Sequence, residues 1–549
     1  EKEGDMKRKS LILGVAMLLL VGALPAAAAV TTNIYASGSG FLYGDTATIY
    51  VGVQNTDASD VPVDVYLARV DPTGAVAMFS PLLGFTPIDV LSPATWPALV
   101  SNFPLPAGVS ASNIPIVTET FDSSMPGGTY TYFFIISQPL SSNPLSDLIT
   151  YSATSYQLFA TGPQGPTYHT GTITSDETWS PLGNPHIVQG TLIVAGPAPS
   201  GAVLTIQPGV VVRFDEGASV EVGETNAPGK LIAQGTQNSG IIFTSNQTVN
   251  SAGWWYHIKF NEQDSGSSLS YCTVEYGGGN DSWDSGADIV IYGASNVTIS
   301  HCIIRNSKLA GIALPGESGL VQLDNNEITS NGTYGIVLYG DQVRGIAGTN
   351  SVDGNTLGGV YVKDDTVEHD ATWYKLDAPY ILEDILVASP AGTTLTIQSG
   401  VELRFTEEAM FEVGSSGEPG KLVAIGSQAD PIVFTSSQIL KTRGWWDGIR
   451  FNENAVDCQL DYVSVEYAGG DSSWDSDANV VVGTPNDVSL RNCSISNSAS
   501  YGLKCMNGAD PDLTGTSFSD NEREDIYIYD DTSGYHGTPL GAPTVKMPE

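Results

Sequence analysis

Four glutamates occupy matching places in two similar halves of the chain. Glu262 corresponds to Glu453 and Glu275 corresponds to Glu466, because the sequence repeats at an offset of 191 residues. Two carboxyl groups about 5–10 Å apart can share the general-acid and general-base work of cleaving a glycosidic bond. Carboxylates also occur on strand faces simply because they keep a surface soluble. The sequence predicts that these glutamates face outward, and it leaves both interpretations open.

A segment rich in tryptophan and aspartate also occurs twice. Residues 277–288 contain Asn280-Asp-Ser-Trp-Asp-Ser, and the second copy reads Asp471-Ser-Ser-Trp-Asp-Ser-Asp. Each segment interrupts a strand pattern and is predicted to be a loop, where binding residues are common. Trp283 and Trp474 are predicted to stack on sugar rings. The carboxylates predicted to bind calcium are Asp281, Asp284 and Asp288 in the first copy and Asp471, Asp475 and Asp477 in the second. The alternative is that each tryptophan covers its own coil while the aspartates cap turns.

A third repeated motif is a pair of adjacent tryptophans, Trp254-Trp255 and Trp445-Trp446. Each pair precedes a short run that alternates apolar and polar residues. One tryptophan of each pair is predicted to pack against the edge of a coil, which leaves the other exposed. Trp254 and Trp445 are therefore candidate ligand-binding residues, with structural packing as the alternative.

The balance of charge excludes several kinds of partner. Lysine and arginine total 22 against 60 aspartates and glutamates, so the formal net charge is −38. Nucleic acids and anionic membranes need a basic surface, so neither is expected as a partner. The histidines are not repeated, since His257 aligns with Gly448 and His301 with Asn492. The sequence contains no nucleophile motif, metal-binding His/Cys cluster or phosphate-binding glycine loop, so calcium is the only cofactor that it suggests.

The N-terminal residues have the pattern of an export signal. Met6 is followed by Lys7-Arg8-Lys9, by an apolar run over residues 11–24 and by Ala27-Ala28-Ala29. This pattern predicts a signal peptide over residues 1–29, of which residues 1–5 precede the true start. The apolar run is too short to span a bilayer comfortably, so no integral membrane segment is expected in the mature chain. The predicted location is outside the cell or on its surface, with the periplasm as the alternative.

Residues 30–163 differ from the rest of the chain. Alternating runs such as Thr129-Tyr-Thr-Tyr-Phe-Phe-Ile-Ile are separated by turn residues, which predicts a β-sandwich of about seven strands. At the level of this pattern, the segment resembles immunoglobulin-like modules of bacterial surface proteins. Residues 164–169 are predicted to be a linker.

The two copies can be compared residue by residue from Leu204 to Leu314. Alternate positions stay apolar in both copies, and these are Leu204, Ile206, Val210, Val212, Phe214, Val220 and Val222 with Leu395, Ile397, Val401, Leu403, Phe405, Phe411 and Val413. Residues between them change character, as where Val211 becomes Glu402 and Ser219 becomes Met410. A period of two with one constant face predicts half-buried strands.

A shorter period of 24 residues predicts how these strands are arranged. Ile304, Ile328 and Val352 are 24 residues apart, and Cys302, Asn326 and Asn350 each stand two residues earlier. Short strands at this period predict a parallel β-helix with one turn per repeat, over residues 170–535. Its duplicated parts are residues 190–365 and 383–531, and residues 536–549 form a tail. The Cys/Asn position is predicted to be an internal ladder with free cysteines, against a disulfide as the alternative. Roughly 15 coils would give a rod about 70 Å long.

Two motifs carry a resemblance to known proteins. Asn325-Asn-Glu-Ile-Thr-Ser-Asn-Gly-Thr-Tyr-Gly-Ile-Val-Leu resembles the repeat of right-handed parallel β-helix proteins in the pectin-lyase-like superfamily. Gly444-Trp-Trp-Asp-Gly-Ile-Arg-Phe is similar to segments of secreted bacterial β-helix proteins. The resemblance implies an all-β fold, a right-handed parallel β-helix preceded by a β-sandwich. It says little about activity, since this fold includes lyases, hydrolases, adhesins and surface proteins.

Two functions remain open at this point. Polysaccharide hydrolases of this fold resemble one another in paired aspartates on consecutive coils with a histidine and an arginine, and the sequence suggests no such cluster. The preferred prediction is therefore a non-enzymatic, secreted structural or adhesive protein that engages a polysaccharide or cell-surface glycan through the Trp/Asp loops. The alternative is a polysaccharide lyase or glycoside hydrolase that uses the outward carboxylates.

Overall fold

The computed structural model describes residues 30–38, 40–88, 92–122, 125–159, 165–280, 286–316, 319–470, 477–483 and 488–548. Almost all regular structure in these residues is β-strand, as the sequence predicts. Three short 3-10 helices complete it, at Pro93–Thr95, Pro181–Gly183 and Gly340–Gly345. Among these described residues, no helix is long and apolar enough to cross a membrane.

The N-terminal region contains two sheets that pack on each other. The first sheet is antiparallel, with strands Val30–Ala36, Thr46–Asn55 and Ser110–Thr120. The second has strands Gly40–Leu42, Leu148–Phe159, Gly128–Ser137, Val61–Val70, Val76–Ser80, Gly84–Pro87 and Val100–Leu105. Ile49 of the first sheet and Leu67 and Tyr132 of the second belong to one buried cluster. Two apolar faces that exclude water between them form a β-sandwich core.

From about residue 167 onward the chain winds into a parallel solenoid. Its longest sheet contains strands Thr167–Ile173, His186–Val194, Val211–Phe214, Ser219–Val222, Ile241–Ser245, Ile258–Phe260, Cys272–Glu275, Ala287–Ile291, Ile303–Arg305, Ala310–Ala313, Glu327–Thr329, Tyr334–Tyr339, Gly358–Lys363, Tyr380–Leu382, Glu402–Phe405, Ile432–Ser436, Val463–Glu466, Ser494–Ser496 and Ser517–Ser519. All of these strands pair in parallel, which a solenoid achieves by returning to the same face once per turn.

Three shorter sheets close the coils. One contains Glu177–Trp179, Ala202–Ile206, Gly229–Gln234, Ser268–Ser270, Thr298–Ser300 and Gln322–Asp324. The next contains Ala371–Trp373, Thr393–Ile397, Gly420–Ile425, Cys458–Asp461 and Val488–Arg491. The last contains Asp365–Val367, Ile385–Val387, Met410–Val413, Gly448–Phe451, Ala478–Val482, Tyr501–Cys505, Ile526–Ile528 and Val545–Lys546.

The coils vary in length. Ile304 pairs with Ile328, 24 residues later, but Val220 pairs with Ile258, 38 residues later. The solenoid has about 12 turns, fewer than the 15 expected from a constant 24-residue coil. The longer turns include the loops that leave the coil in each copy.

The interior confirms the comparison of the two copies. All fourteen alternating apolar residues named above are buried in one continuous core. Ser219 is an exception to the predicted pattern, because it is also buried and its hydroxyl donates a hydrogen bond to Thr191 Oγ1 at 3.2 Å. A neighbouring coil therefore covers part of the face that was predicted to be free.

The internal ladder is confirmed as well. Asn326 Oδ1 accepts a hydrogen bond from the Cys302 amide at 3.0 Å, and Asn350 Oδ1 accepts one from the Asn326 amide at 3.0 Å. Cys272 and Cys302 are buried and free. Stacked asparagines satisfy backbone amides that would otherwise lie unpaired inside the coil, so they fix the register of successive turns.

Candidate functional site

A cleft rich in carboxylates lies at one corner of the solenoid, which we call the acidic cleft. It forms where strand Tyr334–Tyr339 runs into the 3-10 helix Gly340–Gly345, and where strand Gly358–Lys363 turns into Asp365–Val367 on the next coil. Its cavity volume is about 610 Å³. The cleft is lined by Gly316, Gly319, Tyr339, Asp341, Gln342, Arg344, Asp364, Asp365, Thr366, Glu368 and His369.

Parallel pairing stacks two aspartates of this cleft. Tyr339 pairs with Lys363, so Asp341 lies beside Asp365 on the following coil. Asp365 Oδ2 accepts a hydrogen bond from the Asp341 amide at 2.9 Å. The separation of 24 residues between the two aspartates equals one coil of the short repeat. The fold therefore brings carboxyl groups together that are far apart in the sequence.

Asp341 organises the mouth of the cleft. Its Oδ2 accepts hydrogen bonds from Arg344 Nε at 3.1 Å and from His369 Nδ1 at 3.0 Å. Its Oδ1 accepts bonds from the amides of Glu368 at 3.2 Å and His369 at 3.0 Å. Four donors therefore converge on this one carboxyl group. Asp341 thus holds the turn that carries Glu368 and His369 against the 3-10 helix.

The two remaining aspartates hold their protons more tightly than usual. Burial raises the pKa of Asp365, and the negative charges of Asp341 and Glu368 add to this effect, although amide hydrogen bonds oppose it. Burial also raises the pKa of Asp364, together with the charges of Asp384 and Glu383. Carboxyl groups with different affinities for a proton in one cleft are suited to acid–base chemistry.

The glutamates singled out from the sequence are not brought into one cleft. Glu275 is buried rather than solvated. Arg305 Nε lies 2.9 Å from its Oε2, and Thr244 Oγ1 donates a hydrogen bond of 3.1 Å to its Oε1. Glu466 is partly buried and pairs with Lys441 Nζ at 2.9 Å. Both glutamates form structural ion pairs. Burial of Glu275 corrects the prediction that it faces solvent, whereas Glu466 lies on the outward face of its strand as predicted. Glu262 and Glu453 are exposed as predicted.

Both adjacent-tryptophan motifs pack against the core. The rings of Trp255 and Trp446 are buried and stack on Phe214 and Phe405, with centroids 4.0 and 4.1 Å apart. The other member of each pair, Trp254 or Trp445, is partly buried against the same core. Each donates its indole N–H to a backbone carbonyl at 3.1 Å. Trp254 and Trp445 are therefore covered by their own coils, where the prediction had left one ring of each pair free for a ligand.

The structure tests only part of the predicted calcium and sugar sites. Trp283, Trp474, Asp281, Asp284, Asp471 and Asp475 lie outside the described residues. Asp288 is fully buried and accepts a bond from the Gly277 amide at 2.8 Å, so it cannot serve a solvent-exposed loop site. Asp477 pairs with Lys504 at 2.7 Å and Arg523 at 3.3 Å, which neutralise its charge. No group of three or more His, Cys, Asp or Glu side chains within the described ranges is placed to hold a metal ion.

The comparison with protein families agrees with the coil geometry. Residues 206–366 match the family described as "Right handed beta helix region". This segment is a right-handed β-helix. The match includes every lining residue of the acidic cleft up to Thr366. No curated protein matches the sequence.

Solved structures with some likeness to this β-helix protein include the catalytic domain of a GH87 α-1,3-glucanase in complex with nigerose. The two sequences are 12% identical, the match covers 96% of this chain and 99% of that chain, and the TM-score is 0.27. Its D1069A variant with nigerose has 11% identity, the same coverages and a TM-score of 0.27. The Agl-KA catalytic domain has 12% identity over 91% of each chain and a TM-score of 0.18. Superpositions with scores this low carry no argument about site or activity.

The acidic cleft is the feature that the sequence did not reveal. Asp341 and Asp365 stand on consecutive coils with Arg344 and His369 beside them, so the expectation that no such cluster exists was wrong. The cluster was missed because it follows Leu314, where the ungapped match between the copies ends. The signal that could have found it is the 24-residue spacing of the two aspartates, which equals the spacing of the ladder residues.

Proposed function

We propose that this protein binds carbohydrate in the acidic cleft. The observation that carries the proposal is the 610 Å³ cavity whose walls hold carboxylates, an amide, a guanidinium and a tyrosine ring. Sugars present many hydroxyl groups, and such a mixture of donors and acceptors can satisfy them. Clefts of this kind orient a ligand through a few fixed polar groups, and Asp341 already holds several of them in place.

The charge of the cleft restricts the kind of sugar. Four carboxylates line it, whereas Arg344 and His369 are the basic residues among its lining side chains. A potential of one sign attracts ligands of the opposite sign and repels those of the same sign. Neutral or amine-bearing sugars therefore fit this site, and uronic acids do not.

Hydrolysis of a bound glycan is the second candidate function. It is favoured by Asp365, whose raised pKa suits a general acid, and by the exposed Glu368, whose negative charge contributes to that raised pKa. A protonated and an ionised carboxyl group in one cleft can protonate a leaving oxygen and activate water. Export from the cell and a structural or adhesive role for the solenoid are compatible with either function, and we propose them alongside it.

The test uses isothermal titration calorimetry with oligomers of glucosamine and of glucose. Asp365→Asn is expected to weaken binding about tenfold or more, because it removes a negative charge from the site. Asp530→Asn is the matched control, since Asp530 Oδ2 accepts the Asn507 amide at 2.6 Å in the same coil-to-coil manner in the second copy. Equal binding by wild type and Asp365→Asn would contradict the proposal. Release of reducing sugar by wild type, and its loss in Glu368→Gln, would establish the second function.

A further inference from the structure

A second cleft lies on the same corner of the solenoid, on the coils that precede those of the acidic cleft. We call it the Tyr292 cleft, and its cavity volume is 520 Å³. Glu224, Asn261 and Glu262 line it beside Tyr292, whose side chain is 37% exposed. Lys259 Nζ lies 5.1 Å from the centre of the tyrosine ring. A half-exposed aromatic ring among carboxylates and amides is a suitable platform for a sugar.

Strand register places the two clefts in one line. Val222 pairs with Phe260, Phe260 with Ile291, and Val290 with Ala313. Leu338 pairs with Val362, and Val362 with Leu382. Counting two residues past Val222, Phe260, Ile291, Leu338, Val362 and Leu382, and three past Ala313 because its partner Val290 lies one residue before Ile291, gives one row along the corner. The row reads Glu224, Glu262, Gly293, Gly316, Gly340, Asp364 and Asp384. The row has carboxylates at both ends and glycine at each of its three middle positions.

The glycines leave the middle of this row open. A Cβ atom on Gly293 would lie 2.4 Å from Glu262 Cγ, so a larger residue there would displace the glutamate. A Cβ atom on Gly316 would lie 3.7 Å from Cε2 of Tyr292. Gly316 also lines the acidic cleft, and its carbonyl accepts a bond from Gln342 Nε2 at 2.7 Å. Gly316 therefore contacts both clefts and joins them along the corner.

The second copy keeps the scaffold of this corner without its aromatic surface. Glu262 is matched by Glu453 and Asn261 by Asn452, but Tyr292 is matched by Gly483 and Glu224 by Ser415. The coil therefore does not require the tyrosine or the second carboxylate. A side chain that the fold does not need can be used to bind a ligand.

We propose that the two clefts form one groove that binds a linear polysaccharide chain along the axis of the solenoid. This inference rests on the proposed carbohydrate binding and adds the length and direction of the ligand. Six coil-to-coil steps of about 4.8 Å make the groove roughly 29 Å long. A single sugar or a disaccharide occupies one cleft, whereas a longer chain reaches both. Its amine or hydroxyl groups meet carboxylates at each end, and its middle passes over the glycines.

Chain-length dependence of affinity tests this groove. Glucosamine oligomers are titrated into the full chain by calorimetry, as a dimer and as a hexamer, and glucose oligomers of the same lengths form a neutral series. The hexamer is expected to bind about tenfold tighter than the dimer, because its second half contacts the other cleft without a separate association cost. Tyr292→Ala is expected to remove most of that advantage and to leave dimer binding in the acidic cleft unchanged. Tyr374→Ala is its control, since Tyr374 is equally exposed, at 37%, but lies on another corner.

A second pair of variants controls for effects of the substitution on folding. Glu262→Gln changes one exposed carboxylate of the groove, and Glu453→Gln changes its counterpart in the copy that has Gly483 in place of Tyr292. Only Glu262→Gln is expected to weaken hexamer binding. The proposal of one groove is wrong if dimer and hexamer bind wild type equally, or if Tyr292→Ala and Glu262→Gln both leave hexamer affinity unchanged. Carbohydrate binding in the acidic cleft would still hold in either case. If no oligomer of either series binds, both proposals are wrong.

Discussion

Asp288 and Asn479 occupy the same position in the two copies, and both are fully buried. Asn479 Oδ1 accepts a bond from the Ala468 amide at 3.0 Å, and its Nδ2 donates to the carbonyls of Val465 and Ser496 at 3.2 and 2.7 Å. Asp288 Oδ1 likewise accepts a bond from the Gly277 amide. Its Oδ2, which stands where asparagine has a donor, has no hydrogen-bond partner among the described residues.

Asp288→Asn is expected to stabilise the protein at neutral pH. Burial raises the pKa of Asp288 well above its usual range, and the charge of Glu275 adds to this, so the folded chain holds this proton more tightly than the unfolded chain does. The unfolded chain releases it above about pH 4. The contribution of Asp288 to the free energy of unfolding is therefore fully present below about pH 4. It is lost as the pH rises toward the pKa of Asp288 in the folded chain.

The measurement is urea unfolding of wild type and variant from pH 4 to pH 8. The variant is expected to be more stable by about 1–3 kcal/mol at pH 7, which is the cost of a buried group without its hydrogen bond. The difference should shrink toward pH 4. Asn479→Asp is the reciprocal control and should introduce the same pH dependence into the second copy. Parallel stability profiles for wild type and Asp288→Asn would show that Asp288 is not protonated.

The ion pair of Glu275 predicts a compensated exchange. Arg305, from the next coil, neutralises Glu275, whereas Lys441, from a neighbouring loop, neutralises the matching Glu466. Position 305 is serine in the second copy, at Ser496, and Lys441 is matched by Asn250. Arg305→Ser should destabilise the protein by about 1–2 kcal/mol, because Glu275 is buried but Arg305 remains accessible to solvent.

Adding Asn250→Lys to Arg305→Ser recreates the arrangement of the second copy and should recover most of the lost stability. Chemical denaturation of the two single variants and the double variant gives the coupling free energy of the exchange. Asn250→Lys alone should change stability little, since Glu275 then already has a cation. If the effects of the two substitutions are additive, a lysine at position 250 does not replace Arg305 as the partner of Glu275.

The comparison of copies explains how much the sequence could predict. Leu204 and Leu395 remain apolar because a polar group inside a coil is costly unless it is hydrogen-bonded, so alternation alone predicted the strands. Asn326 and Asn350 recur at one coil length because stacked turns require the same hydrogen bond. These features depend on contacts between equivalent positions, which a repeated sequence displays directly.

The candidate site depends on contacts that repetition does not display. Glu275 was expected to face solvent because it follows the inward-facing Val274 on its strand, and Asp288 was expected in a loop because it ends the segment that interrupts the strand pattern. Asp341 and His369 meet through a turn that follows the duplicated stretch. Local sequence could not predict these contacts, because they join residues that are 11 to 30 positions apart in the sequence and that differ between the copies.

Asp477→Ala is expected to destabilise the C-terminal half of the solenoid. Lys504 is almost completely buried, and its ammonium group lies 2.7 Å from Asp477 Oδ1. Removing the carboxylate leaves a buried charge without this counterion, which costs about 3 kcal/mol. Thermal unfolding followed by circular dichroism measures the loss. If Asp477 instead held calcium, EDTA would lower the Tm of wild type to that of the variant, whereas we expect no effect of EDTA through this residue.

The acidic cleft predicts that binding of amine-bearing sugars weakens as the pH falls. Asp365 has a raised pKa, so it becomes neutral at a pH where an ordinary aspartate is still charged. The other acidic and basic residues that line the cleft beside it are Asp341, Arg344, Asp364, Glu368 and His369. Titration of glucosamine hexamer from pH 7 to pH 4 should show a loss of affinity that begins above the usual aspartate range. In Asp365→Asn the remaining affinity should stay level until the other carboxylates titrate, and His369→Gln separates any contribution of the imidazole. An unchanged pH profile in Asp365→Asn would mean that another group controls binding, because only the charge at this position differs between the two proteins.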